Sequence, residues 1–155
     1  MYDINNIYEM LKWENPTKIQ MKGIRLAQKI NDLSLLIQPP AEPSVWEQCA
    51  KILAEKSDDD LNPYLDGLLE WLQDLNWPGA LIILERLKVF RGDALKGYVE
   101  KAVANATKLS NEEGLRWLDY LSELLDNEKL KAKLPREIVE KLQKHYHNWA
   151  AWCND

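Results

Sequence analysis

LNPYLDGLLEWLQDLNWPGALIILERLKVF, residues 61–90, is the stretch that decides the fold. Its first half places Leu61, Leu65, Leu68, Leu69, Leu72 and Leu75 at close to helical spacing, and its second half does the same with Ala80, Leu81, Ile83, Leu84, Leu87 and Phe90. Asn76-Trp77-Pro78 separates the two. Proline lacks an amide hydrogen and disfavours helical geometry in the residue before it, but it is welcome in the first turn of a new helix. The spacing therefore predicts two helices folded back on each other, with the break at Asn76 or Trp77 and Pro78 opening the second. Each helix also carries a second apolar stripe: Tyr64, Trp71 and Leu75 in one, Ile82, Val89 and Phe90 in the other. Such a stripe is too wide for a helix with its back in water, and it predicts neighbours on two sides, as in a stacked helical-repeat array.

Working outward toward the start of the chain, Asp3 heads a first helix to about residue 12, with Ile4, Ile7, Tyr8 and Leu11 on one face. Asn15-Pro16 restarts the chain into a second helix over about residues 17–31, with Ile19, Ile24, Ala27 and Ile30 inward and Gly23 marking a close helix crossing. Pro39, Pro40 and Pro43 make residues 38–43 an extended connection. Ser44 and Glu47 form a capping box ahead of a third helix that buries Val45, Trp46, Cys49, Ala50 and Leu53.

Toward the other end, Asp93 starts a helix with Leu95, Val99, Ala102, Val103 and Ala106 inward. Ser110 to Glu113 form a second capping box, before a helix with two stripes that include Leu115, Trp117, Leu118 and Leu121. Residues 127–134 read as a turn, and Pro135 opens a last helix with Ile138, Leu142, Tyr146, Trp149 and Cys153 on one face. One-sided at both ends and two-sided between, residues 1–155 are expected to form a single all-α domain, a HEAT-like right-handed stack of antiparallel helix pairs with about seven to nine helices.

Composition narrows the function classes. The formal net charge of −5 argues against a sequence-independent nucleic-acid surface, which depends on clustered Lys and Arg. MYDINNIYEM lacks the basic region and apolar core of a signal peptide, and the longest apolar run, residues 80–84, is far short of a membrane span. A cytoplasmic protein with no membrane partner is expected, with Cys49 and Cys153 reduced. No catalytic, cofactor or metal site is legible. The two histidines, His145 and His147, are too close along a helix to bind one metal together. Glu70 and Asp74 are spaced as an acid–base pair can be, but surface helices carry such pairs routinely. Cys49 sits among core positions with no histidine near it in sequence.

Several stretches resemble a family of small, mostly uncharacterised bacterial proteins: LKWENPTKIQMKGIRLAQKI, LIQPP, VWEQCAKIL with SDDDL, and above all YLDGLLEWLQDLNWPGA. The resemblance covers roughly the first ninety residues, and its specific part is the run W-L-Q-D-x-N-W-P-G-A. It implies an all-helical, HEAT-like fold without enzymatic activity, with relatives among toxin-immunity and toxin-associated proteins. In the motif, Asp74 or Asn76 can accept from exposed amides of the second helix while Trp77 plugs the turn, with Trp71 and Pro78 beside them. Trp77→Ala is then expected to cost about 3 kcal/mol or more and Asp74→Ala about 1.

Asp58, Asp59, Asp60, Asp66, Glu70 and Asp74 fall in a stretch with no Lys or Arg, and mark where a basic protein partner would be steered. A non-enzymatic protein-binding module, an immunity or adaptor protein, is the expected class. A purely structural helical-repeat scaffold is the alternative, ahead of an enzyme of unidentified chemistry.

Overall fold

A computed structural model describes residues 3–146, and His147, Trp149 and Cys153 of the expected last helix lie outside them. The described residues are all-α, with nine helices and no strand. They are α1 (Ile4–Leu11), α2 (Thr17–Ala27), α3 (Trp46–Ala54), α4 (residues 58–73), α5 (Ala80–Lys88), α6 (Ala94–Leu109), α7 (Glu112–Leu121), α8 (Glu128–Lys133) and α9 (Arg136–Gln143). Within α4, α-helical turns Asp58–Leu61 and Leu65–Glu70 alternate with 3-10 turns Asn62–Tyr64 and Trp71–Gln73. A 3-10 extension, Ser122–Asp126, continues α7.

α1 pairs with α2, and α6 with α7. Beyond these sequence neighbours, α3 lies against α5, α4 against α6, and α5 against the 3-10 end of α7. The side chains expected inward on α6, from Leu95 to Ala106, are all buried. Gly23 does mark a close crossing, because a Cβ there would sit 2.7 Å from Met10 Cβ of α1.

The central turn is built differently from the sequence expectation. Helix geometry ends at Gln73, Asp74 is extended (φ −146°, ψ 111°), and α5 begins only at Ala80. The residue that opens it is Gly79, left-handed at φ 85°. A Cβ there would meet Ala50 Cβ at 2.7 Å and the Trp46 carbonyl at 2.9 Å, so the glycine permits both the conformation and the close approach of α3. Pro78 lies in the turn before the helix, not in its first turn.

The aromatic plug is Trp71, fully buried, whose indole Nε1 donates to the Pro78 carbonyl at 3.0 Å. Trp46 stands edge-on to Trp71 and to Trp77, both with centroids at 6.2 Å, and donates to the Pro39 carbonyl at 3.0 Å, which pins the proline-rich connection to α3. Trp77 is only half-buried. Asp74 serves the turn itself, its Oδ1 accepting from Asn76 N at 2.9 Å, and neither it nor Asn76 caps α5.

Other local expectations also yield to tertiary packing. Ser44 is no cap: it lies inside the 3-10 turn Pro43–Val45, buried, with no hydrogen-bond partner for its hydroxyl. The second cap falls on Asn111, whose Oδ1 accepts from Gly114 N at 2.9 Å, while Ser110 takes a left-handed conformation at the end of α6. Residues 127–134 are not a turn but mostly α8, capped by Asn127, whose Oδ1 accepts from Leu130 N at 3.1 Å.

Ile19, expected inward, is 41% exposed, and Leu115 is 55% exposed. The second stripe of α5 is incompletely covered too: Phe90 is buried, Ile82 half-buried and Val89 exposed. An apolar period fixes the angle of a side chain around its own helix, but the neighbours fix whether that side is covered.

Candidate protein-binding surface

The acidic run begins as a helix start. Ser57 Oγ accepts from Asp60 N at 3.1 Å, and Asp58, Asp59 and Asp60 occupy the first turn of α4, where negative charge complements the helix dipole. Asp58 then turns inward. Its Oδ1 pairs with Arg86 Nη2 at 2.6 Å, its Oδ2 accepts from Arg91 N at 2.9 Å, and Arg86 also donates to the Lys56 carbonyl at 3.0 Å. The start of α4 is thereby clamped to Arg86 in the last turn of α5 and to Arg91 in the connection after it.

Partial burial pushes the Asp58 carboxyl up, but the hydrogen bonds from Arg91 N and Arg86, with the Arg86 charge, outweigh it and hold the group below the ordinary 3.8. A depressed folded-state pKa contributes stability that is present in full above the unfolded value and is lost as pH falls through the folded one. Urea midpoints of wild type and Asp58→Asn should therefore differ at neutral pH and converge as the solution is acidified below about pH 4. A gap that is constant down to pH 2.5 would show the clamp to be uncharged in effect.

The other carboxylates are not one face. Asp66 pairs with Lys101 of α6 at 3.0 Å, and Asp74 is engaged in its own turn. Asp59 and Asp60 are exposed at an open cleft of about 380 Å³, whose other wall includes Gln28, Lys29 and Lys56. Glu70 is exposed further along α4. The absence of Lys and Arg holds along residues 58–74 but not around them, since Arg86, Lys101, Lys29 and Lys56 arrive from other parts of the chain. Of the six acids expected to steer a partner, Asp59, Asp60 and Glu70 are exposed and in no ion pair among the described residues.

Two of the groups considered for catalysis are otherwise engaged. Cys49 is fully buried and desolvation pushes its thiol up to about 12, so it is no nucleophile at neutral pH. His145 Nδ1 sits 2.8 Å from Asp119 Oδ1. No group of three or more His, Cys, Asp or Glu side chains is placed to hold a metal among the described residues, and no described helix is long and apolar enough to cross a membrane.

A family model for a domain of unknown function, DUF5071, matches residues 47–148. The chain belongs to the DUF5071 family. The matched stretch runs from the first turn of α3 through α9 and so takes in the acidic helix, the Asp58–Arg86 clamp and the Trp71 turn of this DUF5071 member, with α1 and α2 ahead of it. No curated protein and no solved structure matches the chain.

Proposed function

We propose that this chain is a non-enzymatic, cytoplasmic protein-binding module of the toxin-immunity or adaptor kind, and that its partner is a basic protein. What carries the proposal is the carboxylates left outward on α4 once its internal ion pairs are made, Asp59 and Asp60 at its start and Glu70 further along. Opposite charge across an interface raises the rate of encounter more than it raises affinity. The helices are proposed to form a HEAT-like right-handed stack. The contacts of α3 with α5, α4 with α6 and α5 with the end of α7 support it, because touching the helix two places along is the neighbour relation of a two-layer array. The buried, protonated Cys49 and the committed His145 support a role without chemistry.

The test is the association rate with the protein encoded next to this chain's gene, measured for wild type and for Asp59→Lys with Glu70→Lys. Both sites are exposed, so the fold should be kept at a cost of about 1 kcal/mol from the cation set in the first turn of α4, while the on-rate should fall about tenfold or more at low salt and lose most of its salt dependence. A partner that binds at a rate indifferent to both the reversal and salt would remove the acidic face from the interface. If that protein does not bind at all, the scaffold alternative gains.

A further inference from the structure

Lys18, Lys22, Arg25 and Lys29 follow one another at intervals of four, three and four residues. At 100° per residue the first three lie within an arc of about 60° along roughly 10 Å of α2, and Lys29 follows in the turn just past its end. The opposite side of α2 is the one that is packed: Gly23 meets Met10 and Leu11 of α1, Ala27 is buried, and Gln20 and Gln28 bond to Gln48 and Glu55 on the α3 side. All four cations are therefore turned outward and exposed. Lys18, Arg25 and Lys29 enter no ion pair among the described residues. Residues 15–31 contain no Asp or Glu, in a chain that has 25 of them. The ridge is a local inversion of the charge of the whole molecule.

Its edges are apolar. Met21 (51% exposed) and Ile19 (41%) stand on its two flanks, while Trp13 (54%) is exposed in the connection before it, where its carbonyl accepts from Gln20 on the other side of α2. We propose that this outward face of α2 docks on an anionic lipid surface, with Lys18, Lys22 and Arg25 at the headgroup phosphates and Ile19 and Met21 against the headgroup layer at the two edges of the contact. Cations with exposed aliphatic side chains beside them match that layer, where part of the contact is charged and part apolar. A nucleic acid would use the cations and can stack a base on an aromatic ring, but it leaves the aliphatic Ile19 and Met21 at the edges of the ridge without a partner, so lipid fits this face better.

The net charge of −5 does not oppose this strongly, because at physiological salt charges more than about 8 Å away are screened and a flat surface feels the ridge it touches. The Lys29 end adjoins Asp59 and Asp60 across their shared cleft, so contact is through the Lys18-to-Arg25 end, and Glu14 is the one exposed acid in residues 13–25.

The experiment is co-sedimentation of the full chain with vesicles of phosphatidylcholine alone and of phosphatidylcholine with one-third phosphatidylglycerol. Binding is expected only to the anionic vesicles, and is lost at high salt. Each Lys or Arg near such a surface contributes about fivefold to the partition coefficient. Lys18→Glu with Arg25→Glu, a change of four charges, should therefore lower it at least about a hundredfold, and Ile19→Ala with Met21→Ala should lower it without changing the salt slope. These positions are exposed, and unchanged circular dichroism and melting would show that the variants fold. No sedimentation with anionic vesicles, or sedimentation indifferent to the reversal, would overturn the proposal. So would salt-sensitive retention of a single-stranded oligonucleotide by a chain that leaves the vesicles in solution. None of these outcomes depends on whether a basic protein binds α4.

Discussion

Trp71→Ala is expected to lower the unfolding free energy by about 4–5 kcal/mol, from about a third to nearly all of the margin of a domain whose total stability is of order 5–15. The indole is fully buried, holds the Pro78 carbonyl by its Nε1 and packs in a T-shaped arrangement with Trp46. Removing it leaves a large cavity under the turn and a carbonyl without its donor. Trp77→Ala should cost only about 1–2 kcal/mol, because that ring is half-buried and its truncation opens to solvent. Urea unfolding of the two variants side by side gives the ranking. If Trp77→Ala were the more damaging, the turn would be organised from outside, as the sequence motif alone implies, and the assignment of Trp71 as the plug would fail.

Asn127→Asp should be nearly as severe, at about 4 kcal/mol, although it changes one atom. The Asn127 side chain is buried, and its Nδ2 donates at 2.9 Å to both the Leu87 and the Phe90 carbonyls, closing the end of α5, while its Oδ1 caps α8. The acid keeps the cap but sets a carboxylate oxygen against two carbonyl oxygens in a place with little water. Its deficit should shrink in acid, where a protonated carboxyl again has a hydrogen to donate, and this separates it from Asn127→Ala, whose cost of about 3 kcal/mol should not depend on pH. Equal deficits for the two variants at neutral and acid pH would mean that the buried carbonyls are satisfied by another route.

Asn127 shows what a single chain conceals. Read locally, residues 127–134 resemble a turn; the asparagine that makes them a helix start does so while bonded to carbonyls 40 and 37 residues away. The same holds for capping by Ser44, which its sequence neighbours favour and the packing of Pro43–Val45 forbids. By contrast the inward face of α6 and the crossing at Gly23 were legible, because each depends on spacing within one helix or on the one residue small enough for a contact.

The candidate surfaces divide in the same way. That residues 58–74 are acidic and that residues 18–29 carry cations at helical intervals is written in the sequence, and so is the all-α class, because helix formation follows a period of 3.6 residues that any local window samples. Tertiary structure alone decided that Asp58 is consumed by Arg86, 28 residues away, that Asp66 is held by Lys101, 35 residues away, and that Trp71 and not Trp77 fills the turn. It alone turned the α2 cations outward, by placing α1 and α3 on the other side. The physical reason is that periodicity specifies an angle about one helix axis, whereas burial, ion pairing and exposure depend on which second helix stands at that angle, and that neighbour comes from distant sequence.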